Sequence, residues 1–279
     1  IDDTRDIEFT LYQYQHRGNA VKTRYRQYWD KSELNAVLYT ASVETYKKNR
    51  ELVAAFDANY AARIGSGWGV NMRLNRASQD TFLRRYKFDG RTALKSEVVA
   101  EKLDTEHYYR VEASDIQGLS SGDTSETDPT VLPHVFYEKI GPGLRESQTM
   151  KTEISAIQVD NDEGHDLSRW TGNVELSDRI DTGGIITEVK TGITGSYYSV
   201  QKKPAAATTK TDDMSRVTPQ ASIGWRAPVS LVGALRSAVL EPRLQFAYIG
   251  GTDRSADIPN RDSADYRIDE ANLFLLNRY

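Results

Sequence analysis

Apolar and polar residues alternate along most of this chain, and such alternation predicts a succession of β-strands. In Ala20–Trp29, uncharged and aromatic side chains occupy every second position, whereas Lys22, Arg24 and Arg26 lie between them. Turn-forming Gly, Asn, Asp and Ser residues separate the alternating stretches. The pattern predicts about 13 antiparallel strands, which are Ile7–Gln15, Ala20–Trp29, Glu33–Tyr46, Glu51–Ile64, Trp68–Asn75, Thr92–Leu103, Glu106–Gln117, Val131–Lys139, Arg145–Asp160, Arg169–Ile180, Gly184–Ser199, Val217–Arg226 and Ser237–Tyr248.

The connections between these strands are sorted by length. If successive strands run up and down, alternate connections emerge on the same side of the sheet. Counted from the connection between the first two strands, the second, fourth, sixth and tenth connections are short. They are Asp30–Ser32, Gly65–Gly67, Asp104–Thr105 and Asp181–Gly183. The long connections are all odd-numbered, and they are Ala77–Arg91, Gly118–Thr130, Asn161–Ser168 and Gln201–Arg216. Outer-membrane barrels have this asymmetry, with short periplasmic turns and long extracellular loops, and their tilted strands are similarly long.

The composition is compatible with a barrel and excludes several other classes. The mean hydropathy is low, and the chain contains no apolar run approaching the ~18 residues of a membrane helix. The 16 Tyr residues suit the aromatic girdles of a barrel. Cysteine is absent, which excludes disulfides and thiolate metal sites. The 36 basic and 40 acidic residues are too balanced to indicate nucleic-acid binding.

Two short motifs suggest chemistry but lack the context that the chemistry needs. Gly118–Gly122 matches the G-x-S-x-G pattern, yet the residues after it cannot supply the helix of a nucleophile elbow. The acidic cluster Asp160–Gly164 has glycine at its fifth position, where a calcium loop needs it at the sixth. We therefore predict a protein that is not an enzyme and has no catalytic residue, metal site or cofactor.

Three stretches of the chain resemble one family. The C-terminal stretch contains L-E-P-R at Leu240–Arg243, then I-P-N-x-D-S from Ile258, and then N-L-F at Asn272–Phe274. Two earlier stretches, Trp68–Tyr86 and Pro219–Arg226, match in the same order. Together they resemble the barrel domain of the LptD family of lipopolysaccharide-assembly proteins, especially its alphaproteobacterial branch.

The resemblance implies a fold, a location and a function. The fold would be an all-β, antiparallel up-and-down transmembrane β-barrel, of which residues 1–279 form roughly half of about 26 strands. We expect a periplasmic domain before Ile1 and further strands after Tyr279. The function would be insertion of lipopolysaccharide into the outer leaflet of the Gram-negative outer membrane through this barrel. Implied partners are lipopolysaccharide, outer-membrane lipid, an LptE-like plug lipoprotein and an LptA-like periplasmic bridge protein.

Two alternatives remain open at this point. A porin or another substrate-specific outer-membrane channel would share every barrel feature. A soluble carbohydrate-binding β-sandwich would share the strands but not the sorting of loops by length.

Two groups of basic residues are candidate contacts for lipopolysaccharide. Guanidinium groups bind phosphates and carboxylates through paired, charge-assisted hydrogen bonds. Arg84 and Arg85 lie in a long loop and would either bind such groups or form a solvated basic surface. Lys22, Arg24 and Arg26 would line the lumen or pair with wall carboxylates such as Asp57.

The last candidate is the acidic segment Gly250–Tyr279, which ends in the apolar run Leu273–Leu276. Because apolar clusters are rarely left in water, we predict that this segment folds back into the barrel mouth. Proline would fix the turn, amide and carboxylate side chains would satisfy backbone donors, and Asp269 would meet wall arginines. The alternative is an external loop followed by a strand. The residues of the predicted lumenal loop are Pro259, Asn260, Asp262, Ser263, Asp269, Asn272 and Phe274.

Overall fold

The computed structural model describes residues 4–15, 17–44, 50–120, 128, 130–160, 164–203, 210–232 and 237–251. These residues are mostly β-strand. In the described ranges, no helix has the length and apolar character needed to cross a membrane. The strands are β1 (Arg5–Tyr14), β2 (Gly18–Trp29), β3 (Ser32–Glu44), β4 (Arg50–Ile64), β5 (Trp68–Ala77), β6 (Ala93–Leu103), β7 (His107–Gly118), β8 (Thr130–Pro142), β9 (Gln148–Asp160), β10 (Gly164–Thr182), β11 (Ile185–Lys203), β12 (Lys210–Arg226), β13 (Val229–Val232), β14 (Ser237–Leu240) and β15 (Arg243–Ile249).

The strands form a 13-stranded sheet in the order β1 to β12 followed by β15, and a separate two-stranded sheet of β13 and β14. Each strand of the large sheet pairs with its neighbour along the chain, apart from the step from β12 to β15. This antiparallel meander confirms the predicted all-β, up-and-down fold. A four-residue helix, α1 (Phe82–Arg85), lies in the connection between β5 and β6.

Two compact units make up the chain. The first contains Ile1–Phe136, Ile157–Ser168 and Gln201–Thr211. The second contains Tyr137–Ala156, Arg169–Val200 and Asp212–Tyr279.

Pairing register divides the first unit into two chemically different faces. Asp6 lies opposite Arg26 and Glu8 lies opposite Arg24, so charged residues of β1 and β2 share one face, here called the polar face. Phe9 and Leu11 lie on the other face, here called the apolar face, and are 68% and 70% exposed. Side chains alternate along each strand, so the register carries this division across the sheet.

A buried cluster lies on the polar face of the first unit. Phe82 and Tyr86 of the β5–β6 connection are each 1% exposed. They contact a floor of small strand residues, which is why a short helix fits closely against the sheet. The floor consists of Ala20, Ala41, Val43, Val53, Ala55 and Ala77.

The second unit has the same division in β12 and β15. Trp225 pairs with Leu244 and Ile223 pairs with Phe246, and these residues form its apolar face. Phe246 is 61% exposed and packs edge-on against Trp225, with ring centroids 6.1 Å apart.

The structure corrects three sequence expectations. The predicted strand Ser237–Tyr248 is two strands, because β14 pairs with β13 while β15 pairs with β12. Pro242 lies at the break, and proline lacks the N–H group that a continuous ladder requires. The predicted loops Asn161–Ser168 and Gln201–Arg216 are largely strand, since β10 begins at Gly164, β11 runs to Lys203 and β12 begins at Lys210. Backbone pairing extends these hairpins although their side chains do not alternate.

Candidate functional site

The basic residues of β2 are held by carboxylates of β1. Arg26 reaches Asp6 through two nitrogens, with Nη2 2.7 Å from Oδ2 and Nε donating to Oδ1 at 3.1 Å. Arg24 Nη1 lies 3.3 Å from Glu8 Oε2. The Lys22 ammonium lies 5.8 Å from the centre of the Tyr39 ring. All three basic residues are on the polar face.

Ion pairs continue across β5, β6 and β7 on the polar face. Arg73 Nη1 lies 3.4 Å from Glu97 Oε1. Lys95 Nζ bridges two carboxylates, 2.7 Å from Glu97 and 3.0 Å from Glu112, and Arg110 also pairs with Glu112 at 3.0 Å. Such half-exposed pairs contribute at most about 1 kcal/mol each. Their main consequence is that positively and negatively charged side chains lie next to each other along the polar face.

The loop after β5 adds two ion pairs, both formed by Arg91, that the sequence did not predict. Arg91 Nη2 lies 3.1 Å from Asp57 Oδ2 and 2.6 Å from Asp89 Oδ2. Burial would raise the pKa of Asp89, but hydrogen bonds from the Arg91 side chain and backbone outweigh it and lower that pKa. Asp57 therefore pairs with Arg91 rather than with the β2 cations.

A concavity of 550 Å³ opens on the polar face near the turns at 30–31 and 65–67. Asn59 lines it, donating to Asp57 at 3.2 Å and accepting from Arg73 Nε at 3.3 Å. Amide, guanidinium and carboxylate groups together can both donate to and accept from sugar hydroxyls. The lining of this amide-rich concavity includes Arg26, Asn35, Asn59, Asn71, Arg73 and Glu97.

At the other end of the same strands, the loop of residues 78–92 is fastened to the β1–β2 hairpin. The Tyr14 hydroxyl donates to the Tyr86 carbonyl at 2.7 Å, and the Tyr86 hydroxyl donates to the Arg17 carbonyl at 2.8 Å. Arg17 Nη1 donates to the carbonyl of Arg85. The rings that meet here form the aromatic cluster, which consists of Tyr12, Tyr14, Tyr39, Phe82, Tyr86 and Phe88.

Aromatic residues also mark the apolar face near the short turns. Trp29 and Tyr60 have ring centroids 6.4 Å apart, and Trp68 and Tyr109 have centroids 6.2 Å apart. Trp and Tyr favour the boundary between lipid and water, because their rings are apolar and their N–H or O–H groups are polar. These pairs lie where the aromatic girdle of a membrane barrel would lie.

The family model for LptD, described as LPS transport system D, matches residues 51–279, which is most of the chain. The chain belongs to the LptD family. LptD proteins transport lipopolysaccharide and are not enzymes. Membership places the chain in the outer membrane of Gram-negative bacteria, and it favours this family over the porin-type channel and the soluble sandwich.

The chain is also similar to two solved structures. One is a BenF-like porin from Pseudomonas fluorescens Pf-5, and the other is OccK11 (OpdR) of Pseudomonas aeruginosa. Each has 8% sequence identity and a TM-score of 0.30, with 89% of this chain covered. The matches cover 97% and 93% of the two solved chains, respectively. No curated protein matches the chain.

The predicted LptD site residues fall into three groups. Lys22, Arg24 and Arg26 share the polar face and, as described above, have partners there. Arg84 and Arg85 are exposed at the end of α1, and the described part of the chain holds no ion-pair partner for either. Pro259, Asn260, Asp262, Ser263, Asp269, Asn272 and Phe274 lie outside the described residues.

Sequence reasoning missed the aromatic cluster and the amide-rich concavity. The residues of each are scattered along the chain and come together through strand register. Tyr14 and Tyr86 are 72 residues apart, for example. The Trp68–Tyr86 stretch includes part of this loop, but the contacts predicted there were Arg84 and Arg85 rather than Phe82 and Tyr86.

Proposed function

We propose that this chain forms part of an LptD barrel that inserts lipopolysaccharide into the outer leaflet, with its polar face along the path of the headgroup. The division of the sheet into a polar and an apolar face carries the proposal. A cation facing lipid at the midplane costs about 2–4 kcal/mol, so the charged residues must face water or substrate. The apolar face then contacts membrane lipid.

The polar face suits a sugar and phosphate headgroup. Paired ions along the wall, such as Arg26 with Asp6, leave little net charge that would trap an anion permanently. The amide-rich concavity offers donors and acceptors for sugar hydroxyls. Transport requires this combination, because a moving substrate must be bound weakly at several places.

The remaining site predictions belong to the same proposal. Arg84 and Arg85 contact phosphates or carboxylates of lipopolysaccharide near the outer mouth, since both side chains are exposed there. The segment Gly250–Tyr279 folds back into that mouth. An LptE-like lipoprotein plugs the completed barrel of about 26 strands, and an LptA-like bridge protein delivers lipopolysaccharide to it.

Photocrosslinking at two adjacent positions of β5 tests this proposal. Asn71 lies on the polar face, and its neighbour Val70 lies on the apolar face at the same depth. A photoreactive residue at Asn71 of the full-length protein should capture lipopolysaccharide in growing cells, whereas one at Val70 should not. Capture at Val70 alone, or at neither position, would refute the proposed path.

A further inference from the structure

The second unit contains a cavity that the transport function does not by itself explain. It has a volume of 170 Å³ and lies on the polar side of β11, β12 and β15. Gly224 contributes no side chain, which leaves room between the neighbouring strands. The residues on which the following argument depends are Glu188, Lys190, Ser222, Arg226, Arg243 and Gln245.

Two of the stretches that resemble the LptD family meet at this cavity. Arg226 ends the Pro219–Arg226 motif, and Arg243 ends the L-E-P-R motif. The two arginines are register partners in the β12–β15 ladder. Glu241 holds both of them, with its Oε1 atom 2.6 Å from Arg243 Nη2 and 3.8 Å from Arg226 Nη1.

The hydrogen-bond donors of the cavity exceed its acceptors. Arg226 Nη2 lies 3.4 Å from Glu188, but its Nε is buried and has no hydrogen-bond partner. Lys190 lines the cavity and forms no ion pair with any residue in the described ranges. The cluster thus combines three cations with two carboxylates. A buried N–H without a partner is costly, so an acceptor in the cavity would be stabilising.

We propose that this cavity, here called the β12–β15 site, binds a phosphate group. Phosphate presents several acceptor oxygens to a guanidinium and an ammonium, and the charge assists each hydrogen bond. A volume of 170 Å³ admits one phosphate group with a few waters, at roughly 30 Å³ per water, and is too small for a sugar chain. The ligand is then a phosphate carried by lipopolysaccharide, and this assignment rests on the proposed function.

Equilibrium binding to the purified full-length protein tests this site. The probes are lipopolysaccharide with its phosphates intact, the same lipopolysaccharide after enzymatic dephosphorylation, and inorganic phosphate alone. Lys190→Gln and Arg226→Gln should each weaken binding of the phosphorylated form about tenfold. Neither change should alter the affinity for the dephosphorylated form. Arg226→Lys retains the charge but not the Nε donor. Its affinity for the phosphorylated form should lie between that of Arg226→Gln and that of the unmodified protein.

Lys151→Gln is the matched control. Lys151 also lies in a strand of the second unit, but it is satisfied by Glu138 at 3.1 Å and Glu153 at 2.8 Å. This variant should bind both lipopolysaccharide forms as the unmodified protein does. Migration as a folded, heat-modifiable species shows whether each variant is folded.

The outcomes separate this inference from the function on which it rests. Unchanged affinity in folded Lys190→Gln and Arg226→Gln, or an equal loss for both lipopolysaccharide forms, would overturn the phosphate site alone. Tight binding of inorganic phosphate that does not compete with lipopolysaccharide would assign the site to the free ion and overturn the lipid-borne ligand. Binding of neither lipopolysaccharide form to the unmodified protein would instead count against the proposed function.

Discussion

The two ends of the polar face in the first unit differ in what covers them. At one end, small residues such as Ala20 and Ala55 lie beneath the aromatic cluster, and Phe82 and Tyr86 are almost completely buried. At the other end, the same strands present Asn35, Asn59 and other polar side chains to the amide-rich concavity, and no segment within the described ranges covers them.

This difference shows that one face of a strand can serve two purposes. Within β3 and β4, the residues on the polar face change from small and apolar to polar over a few positions, as between Ala55 and Asn59. The small residues make room for a loop, and the polar residues leave a wet surface for substrate. The loop of residues 78–92 thus covers one end of the polar face and does not line the amide-rich concavity at the other end.

The largest expected effect is on the covered end. Phe82→Ala should lower the free energy of unfolding by about 3–5 kcal/mol, because a fully buried ring leaves a cavity against a close-packed floor. Arg84→Ala, an exposed neighbour in α1, should change it by less than about 0.5 kcal/mol. Urea titration of the refolded full-length protein measures both. A Phe82→Ala loss as small as that of Arg84→Ala would mean that the loop does not pack on the polar face.

A slightly smaller effect is expected from placing a charged residue on the apolar face within a strand. Phe56→Arg places a cation on the apolar face and should cost about 2–4 kcal/mol in a bilayer. Asn59→Arg places it on the polar face and should cost less than about 1 kcal/mol. Folding of the two variants into lipid vesicles measures the difference. Similar losses at both positions would contradict the assignment of faces.

The hydrogen bonds that fasten the loop should have a smaller effect. Tyr14→Phe and Tyr86→Phe each remove one hydroxyl donor to a backbone carbonyl and should each cost about 0.5–1.5 kcal/mol. Tyr248→Phe is a suitable control, since Tyr248 is exposed on the apolar face of β15. The same urea titration compares the three variants. No loss in either Tyr14→Phe or Tyr86→Phe would show that the loop is held by ring packing alone.

The smallest expected effect is a pH dependence at Asp89. Its pKa is lowered below the ordinary value of 3.8, so the carboxylate contributes stability above that pH and loses it as the pH falls through its folded-state pKa. The unmodified protein should therefore lose stability below pH 3.8, whereas Asp89→Asn should lose less over the same range. Parallel pH profiles would indicate that Arg91 does not stabilise the charged carboxylate.

The strands were predictable because their signal is local. Alternation within a single stretch such as Ala20–Trp29 reports both the strand and its two faces. The break at Pro242 was missed because alternation continues through it, although proline cannot donate the hydrogen bond that the ladder needs. The long hairpins β9–β10 and β11–β12 were predicted too short for the opposite reason. Their polar tips do not alternate, yet their backbones still pair.

The candidate site was less predictable because its contacts are not local. Lys22, Arg24 and Arg26 were correctly grouped on one face, since they follow each other at every second position. Their partners Asp6 and Glu8 depend on the register between β1 and β2, which alternation alone does not fix. The pairing of Asp57 with Arg91 depends in addition on the path of a loop.

Cysteine scanning along β5 tests the two-faced sheet most directly, and the chain contains no natural cysteine to interfere. Single cysteines at Val70, Asn71, Met72 and Arg73 of the full-length protein in membranes would be treated with a water-soluble maleimide. The account predicts labelling at Asn71 and Arg73 and protection by lipid at Val70 and Met72. Equal labelling at all four positions, or labelling of Val70 and Met72 alone, would contradict it.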